Sequence, residues 1–379
     1  MDLEAVKKEL SRCIGCKVTP CAKACPLGVS PHDFIALAKN GDISKAAQLI
    51  REKNPLAQTC GLVCPDKFCQ KNCIRAKIDK AIEIPCLQAY ITKEIPQDSL
   101  NLPPLNGKKA AIIGGGPAGL GALWEFIKNG WHVTLFEETS QLGGAARLIP
   151  SYRLPKEVLD KEINFLTCND HTEIKLNTKI TDLQELKAQF DSIILTIGEP
   201  NLRTLNIAGE EYCTSYKDVL TTPQDHICNK VCVVGGGEVA LDCALSLKKL
   251  GTQTVEMFVR RTKNDMRIMK KDYEELEAHN IIIRDLISIT NISPTDNGFD
   301  LTTIDNQIDE NGRAIPANNQ TSILSGYDKI ILALGSTYKK DENLTEIYMA
   351  GDMTGACGTV VQALASGRDV AREIINNKG

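Results

Sequence analysis

One pattern, strand, glycine turn, helix and returning strand, occurs twice: in "KKAAIIGGGPAGLGALWEFIKNGWHVTLFEE" from Lys108 and in "KVCVVGGGEVALDCALSLKKLGTQTVEMFVRR" from Lys230. An apolar strand that runs straight into a glycine turn and a helix, then returns as a second strand, predicts a doubly wound dinucleotide-binding domain. Two copies predict two such domains, and 379 residues leave room for a third region before them.

The glycines have separate tasks. Gly114, Gly116 and Gly119 form GxGxxG around Pro117 and Ala118: the first glycine permits the tight turn, the second lets a pyrophosphate approach the backbone, and the third lets helix and strand pack closely. Glu137 ends the next strand, where a carboxylate accepts hydrogen bonds from ribose hydroxyls. The second loop, Gly235, Gly237 and Ala240, encloses Gly236, Glu238 and Val239, and its second strand ends in Arg260-Arg261 instead of an acid. A 2'-phosphate repels a carboxylate and pairs with guanidinium groups, so Arg260, Arg261 and Arg267 point to NADP over NAD. The plainer alternative for the three arginines is a solvated basic edge. "DSIILTIG" and "DKIILALG" add one apolar strand after each unit, and Gly351-Asp352 precedes a helix, as a simple cap or as a group that faces a ribityl chain.

Nine of the fifteen cysteines lie between Cys13 and Cys86. Cys13, Cys16, Cys21 and Cys25 read C-x2-C-x4-C-x3-C-P, and Cys60, Cys64, Cys69 and Cys73 read C-x3-C-x4-C-x3-C. Structural zinc favours two C-x2-C knuckles, and only one is present. Short mixed spacings ending in C-x3-C-P suit iron–sulfur clusters in which the last cysteine serves the other cluster. Eight thiols are enough for two 4Fe-4S clusters, with Cys86 a ninth candidate. A disulfide reductase needs a close redox pair beside a nucleotide fold, and none is evident. Cys168, Cys213, Cys228, Cys232, Cys243 and Cys357 read as small core residues.

The cysteine zone also carries helical patterns, one opened by Ser30 and Pro31 and stopped at Gly41, the next from Asp42 to Asn54-Pro55. A proline-containing linker, "IPQDSLNLPPLNGKK", follows. The polar stretch Thr290 to Ser325, with an Asn311-Gly312 turn, reads as a hairpin at the edge of the second sheet, and "TVVQALASGRDVAREII" as a closing amphipathic helix. The net charge of -4 gives no basic surface for nucleic acid. A charged N-terminus and the lack of any run of 18 apolar residues point to a soluble, cytoplasmic protein without a membrane partner.

By these motifs, above all "SRCIGCKVTPCAKACP", "TCGLVCPDKFCQKNC", "IEIPCLQAY", "IPSYRLPKEVLDKEI", "GGGEVALDCA" and "VRRTKNDMR", the chain resembles the electron-input half of dihydropyrimidine dehydrogenase over nearly its whole length. More distantly it resembles the small subunit of NADPH-dependent glutamate synthase. The resemblance implies an α/β fold: a helical domain with two 4Fe-4S clusters (1–105), an FAD-binding domain in two parts (106–200 and 338–379), and an NADP-binding domain inserted between them (201–337). It implies Cys13, Cys16, Cys21 and Cys73 as ligands of one cluster and Cys25, Cys64, Cys69 and Gln88 of the other, with Cys60 and Cys86 spare. For FAD it implies Gly114 to Gly119, Glu137, Ala145, Arg153, Ile180, and Gly351 to Val360, with Asp352 and Thr359 among them. For NADP(H) it implies Gly236 to Val239, Arg260, Arg261, Arg267 and the stretch Ala333 to Gly335.

Only about fourteen residues separate Ser336 from Gly351-Asp352, where the family usually has a longer segment. An FMN barrel, on the order of 250 residues, does not follow. The expected function is therefore a relay from NADPH through FAD and two clusters to an FMN-containing catalytic subunit in a hetero-oligomer, with no catalytic acid–base residue. The alternatives are a subunit of glutamate synthase or another NADPH-linked reductase and, from another class, a non-catalytic zinc-binding scaffold.

Overall fold

The computed structural model describes residues 2–94, 100–199, 201–338, 347–355 and 357–378. Part of the expected linker, most of the short segment before Gly351, and Ala356 lie outside them. The chain forms two compact units, one of residues 1–147, 151–200 and 338–379, the other of residues 148–150 and 201–337.

The first unit opens with short helices: Leu3–Ser11, Pro20–Lys23, Pro31–Lys39, Ile43–Lys53, Ala57–Val63 and Ile84–Glu94. Ser30 caps the third as its residue type predicts, its hydroxyl accepting the Asp33 N–H at 3.4 Å, and Gly41 takes the left-handed turn, φ +89°, before the fourth. Phe34, Ile50, Leu56, Leu87 and Ile91 form the buried interior of this region. The Ala57–Val63 and Ile84–Glu94 helices cross so closely that a Cβ on Gly61 would lie 2.5 Å from the Ala89 nitrogen.

A parallel sheet follows, in the order Tyr348–Met349, Ser192–Leu195, Lys109–Ile113, His132–Phe136, Thr172–Lys175. The helix after its first strand, Pro117–Lys128, packs on the C-terminal helix Val360–Lys378 at two glycines. A Cβ on Gly121 would meet the Leu364 carbonyl oxygen at 2.2 Å, and one on Gly367 the Ala118 carbonyl oxygen at 1.8 Å.

The second unit repeats the parallel arrangement, in the order Thr214–Ser215, Lys329–Leu332, Lys230–Val234, Thr254–Val259, Ile282–Asp285. Alternation in "KVCVV" fills two cores: Val231 and Val233 pack with Leu241 and Ala244, and Cys232 and Val234 with Phe258 and Tyr327.

The fold class is thus the expected one, helices followed by two parallel sheets, with two corrections. The polar stretch does not edge the second sheet. It forms a separate antiparallel sheet of Ile287–Thr295, Gly298–Ile308 and Ala314–Tyr327, because the chain turns at Leu286 (φ +52°) directly after the edge strand Ile282–Asp285. Cys168 is exposed after the Lys156–Thr167 helix, so it is not a core residue, whereas Cys232 and Cys243 are buried. Among the described residues no helix is long and apolar enough to cross a membrane.

Candidate functional site

In the first nucleotide fold the backbone does what the glycine spacing requires. Gly114 stands at φ +108°, and a Cβ on Gly119 would lie 2.1 Å from the Gly114 carbonyl oxygen. Above Gly116 the space is open: a Cβ there would find only the Gly144 Cα, at 3.8 Å. Glu137 is buried at the strand end; its Oε2 accepts the Gly115 N–H at 2.7 Å and its Oε1 the Thr139 N–H at 2.9 Å, so the carboxylate braces the loop from below. Ala145 is exposed in the short helix Gly144–Leu148 beside this loop, Arg153 is half-buried, and Ile180 packs on the sheet core.

At the same, C-terminal end of the parallel strands, a Cβ on Gly351 would meet the Ala118 Cβ at 2.8 Å. Gly351 donates its N–H to Ser366 Oγ at 3.0 Å, and Thr359 caps the C-terminal helix at Val360, accepting the Gln362 N–H at 3.3 Å. Asp352 Oδ1 is buried with no hydrogen-bond partner among the described residues, and burial raises its carboxyl from the ordinary value. A buried acceptor without a donor is costly. The hydroxyl groups of a ribityl chain would supply the donor, so Asp352, the open space at Gly116 and the braced loop fit a flavin dinucleotide.

The second loop repeats the geometry. Gly235 is at φ +146°, with the Ala333 carbonyl oxygen 2.4 Å from where its Cβ would be, and nothing lies within 4 Å of a Cβ on Gly237, which precedes the helix Glu238–Leu250 and its residue Val239. The Arg267 N–H donates to the Gly236 carbonyl oxygen at 2.9 Å, tying the arginine loop to the glycine loop. Arg260 and Arg267 are exposed and Arg261 half-buried. No ion pair among the described residues includes any of them, so the three cations are available to an anion.

Cys13, Cys16, Cys21 and Cys73 line one pocket, backed by Ile35, Ile82 and Ile84. Cys73 reaches it because the segment after it is tied to the first helix: Arg75 donates to the Arg12 carbonyl oxygen at 3.3 Å, Asp79 pairs with Arg75 at 2.7 Å and with Arg12 at 3.0 Å, and the Glu83 N–H donates to Glu9 at 2.8 Å. Cys25, Cys64 and Cys69 lie within electrostatic reach of one another. Burial, then the charge of Cys25, pushes the Cys64 thiol up to about 12, and burial with Cys64, Cys25 and Cys21 raises Cys69. Buried thiols that repel each other as thiolates suit a cationic metal core that displaces their protons. Among the described residues no three His, Cys, Asp or Glu side chains converge closely enough to hold a single metal ion, whereas a cubane spreads its ligands over separate irons.

Gln88 Nε2 donates to the Ala57 carbonyl oxygen at 2.7 Å, and its amide oxygen accepts no hydrogen bond among the described residues. Cys60 is buried one turn before Cys64, its thiol raised by burial and then by the charge of Cys64, eased down by Asn54, with Glu162 and Cys25 also in electrostatic reach. Cys86 is exposed.

Sequence reasoning missed Glu162. It is buried on the Lys156–Thr167 helix and its carboxylate accepts the N–H groups of Gln58 at 2.6 Å and Thr59 at 2.9 Å, in the first turn of the helix that leads to Cys64. Burial pushes its carboxyl up to about 7, against the pull of Thr59, Gln58 and Arg51. The available signal was an acid in the apolar stripe Leu159, Ile163, Leu166.

Residues 1–99 match the dihydropyrimidine dehydrogenase domain II, 4Fe-4S cluster family, and residues 108–367 the pyridine nucleotide-disulphide oxidoreductase family. The NAD-dependent dihydropyrimidine dehydrogenase subunit PreT of Salmonella typhimurium is 31% identical over 97% of this chain and 93% of its own. The NADP(+)-dependent formate dehydrogenase subunit beta of Moorella thermoacetica is 27% identical over 94% of this chain and 59% of its own. Among solved structures, Mycobacterium tuberculosis FprA in complex with NADPH superposes with a TM-score of 0.62 over 71% of this chain and 84% of its own, at 16% identity, which is a likeness of fold.

Proposed function

The chain belongs to the family of the NAD-dependent dihydropyrimidine dehydrogenase subunits and is an NAD(P)H-dependent oxidoreductase with a 4Fe-4S region, and on that premise we propose that it is an electron-input subunit. It takes reducing equivalents from NADPH and passes them through FAD and two 4Fe-4S clusters to a cytoplasmic partner, an FMN-containing pyrimidine-reducing subunit. The observation that carries this reading is the pocket in which Cys73 joins Cys13, Cys16 and Cys21. Two overlapping cysteine runs that exchange members make two sites out of one helical region.

In this reading the clusters belong to 1–105, FAD to 106–200 and 338–379, and NADP to 201–337. When bound, the flavin accepts a hydride and the clusters carry single electrons. The protein's part is to hold and orient. Gly114, Gly116, Pro117, Ala118 and Gly119 admit the pyrophosphate, Glu137 faces a ribose, and Asp352 with the Thr359–Val360 helix start receives the ribityl and phosphate groups. Ala145, Arg153 and Ile180 border the same site. Gly236, Gly237, Glu238 and Val239 admit NADPH, whose 2'-phosphate meets Arg260, Arg261 and Arg267. Cys13, Cys16, Cys21 and Cys73 hold the first cluster; Cys25, Cys64, Cys69 and Gln88 hold the second. A neutral Gln88 in place of a thiolate leaves that site one negative charge poorer and raises its potential.

The test is NADPH oxidation by the purified protein together with its co-purifying partner, with uracil or 2-oxoglutarate offered as acceptor. Uracil-dependent oxidation is the expected result. Dependence on 2-oxoglutarate and glutamine instead would assign the chain to a glutamate synthase.

A further inference from the structure

The separate antiparallel sheet reaches back to the arginine loop. Leu286, at φ +52° in a region that a branched side chain rarely adopts, donates its N–H to the Arg261 carbonyl oxygen at 3.0 Å. Its own carbonyl oxygen accepts the Asn306 N–H at 2.7 Å. Asn306 is 7% exposed, and its Nδ2 donates to the Arg260 carbonyl oxygen at 3.1 Å and to Ser288 Oγ at 2.8 Å. Beyond the pair, the Lys263 N–H is held by Asp285 Oδ2 at 2.8 Å. The carbonyls of both arginines are thus pinned from beneath while their side chains stay without an ion-pair partner among the described residues. Fixing the two peptide planes fixes the direction in which each Cα–Cβ bond leaves the backbone. Asn306 is the one side chain in this ring that does so, with both of its amide hydrogens used and no water needed.

We infer that Asn306 is a positioning residue for nucleotide choice, holding the Arg260 peptide so that Arg260 and Arg261 present their guanidinium groups to the 2'-phosphate of NADPH. This rests on the reading of the second glycine loop as the NADPH site. It gives the polar stretch Thr290–Ser325 a task beyond covering a core: a strut under the specificity loop.

The experiment uses the full chain with an artificial electron acceptor, comparing NADPH with NADH, alongside calorimetric binding of 2',5'-ADP and 5'-AMP. Arg260→Ala with Arg261→Ala tests the premise and is expected to abolish the preference for NADPH; an unchanged preference overturns the NADPH reading itself. With that premise standing, Asn306→Ala is expected to raise KM for NADPH and weaken 2',5'-ADP binding roughly tenfold, the scale of one lost hydrogen bond that orients a charged group. The kcat, the KM for NADH and the affinity for 5'-AMP stay within about twofold. Asn306→Leu, which keeps the volume without the donors, is expected to do the same, and Ser288→Ala to have a smaller effect in the same direction. An unchanged ratio of the two KM values in Asn306→Ala and Asn306→Leu, or an equal rise in both, overturns the inference and leaves Asn306 as a core residue only.

Discussion

The carboxylate of Glu162 accepts the main-chain N–H of Gln58 at 2.6 Å, so a helix of the first nucleotide fold holds the start of the helix that ends at Cys64. Because burial lifts this carboxyl from its ordinary 4.5 to about 7, the folded protein takes up its proton more readily than the unfolded chain. Its contribution is fully present below pH 4.5 and is lost as the pH rises through 7, by about 3 kcal/mol in total. Denaturant unfolding of the full chain across this window is expected to show that decline, and Glu162→Gln to remove it. A slope that persists in the variant would place the titration elsewhere.

The glycines of the first loop separate fold from binding. Gly119→Ala would put a methyl 2.1 Å from a main-chain oxygen, and is expected to cost 1–3 kcal/mol of stability, roughly the range for overpacking, together with the flavin. Gly116→Ala meets nothing closer than 3.8 Å and sits at φ -75°, which alanine adopts freely. Its stability is expected to stay within about 0.5 kcal/mol while flavin is lost, read as visible absorbance retained after gel filtration.

Asp352 carries a buried oxygen that no group among the described residues satisfies. Asp352→Ala is therefore expected to weaken flavin binding roughly tenfold and yet leave the flavin-free protein as stable as before, or more stable by about 1 kcal/mol, since an unpaired buried acceptor is removed. Loss of stability in the flavin-free variant would show that Asp352 serves the fold instead.

Much of this was legible in the sequence, and what was not has a common cause. The two glycine loops, the Ser30 cap and the turn at Gly41 are local, encoded by residues a few positions apart. The arrival of Cys73 beside Cys13, implied by the family resemblance alone, depends on Arg12, Arg75 and Asp79, a contact across a long separation that no local spacing records. Glu162 and Asn306 were hidden for the same reason: their partners, Gln58 and Arg260, are distant in the chain. The polar stretch was misplaced because a hairpin signal states only that two strands pair, not which sheet they join, and that choice is made by Leu286 at a φ that its side chain does not advertise.

The cysteines give a sharper contrast. Cys73→Ser is expected to halve the iron content by emptying the first site, and Cys60→Ser to leave both sites filled. Gln88→Ala is expected to alter the potential or the stability of one cluster alone, followed by electron paramagnetic resonance during a redox titration. Iron loss in Cys60→Ser but not in Gln88→Ala would make Cys60 the eighth ligand, a role its buried place one turn before Cys64 permits.

The most direct measurement is a count of iron, sulfide, zinc and flavin on the full chain purified without oxygen, followed by addition of NADPH. About eight irons, as many sulfides and one FAD per chain, with flavin absorbance bleached by NADPH, is the expected result for two clusters and one flavin. About four irons would remove one cluster from the relay, and zinc with neither iron nor flavin would contradict it altogether.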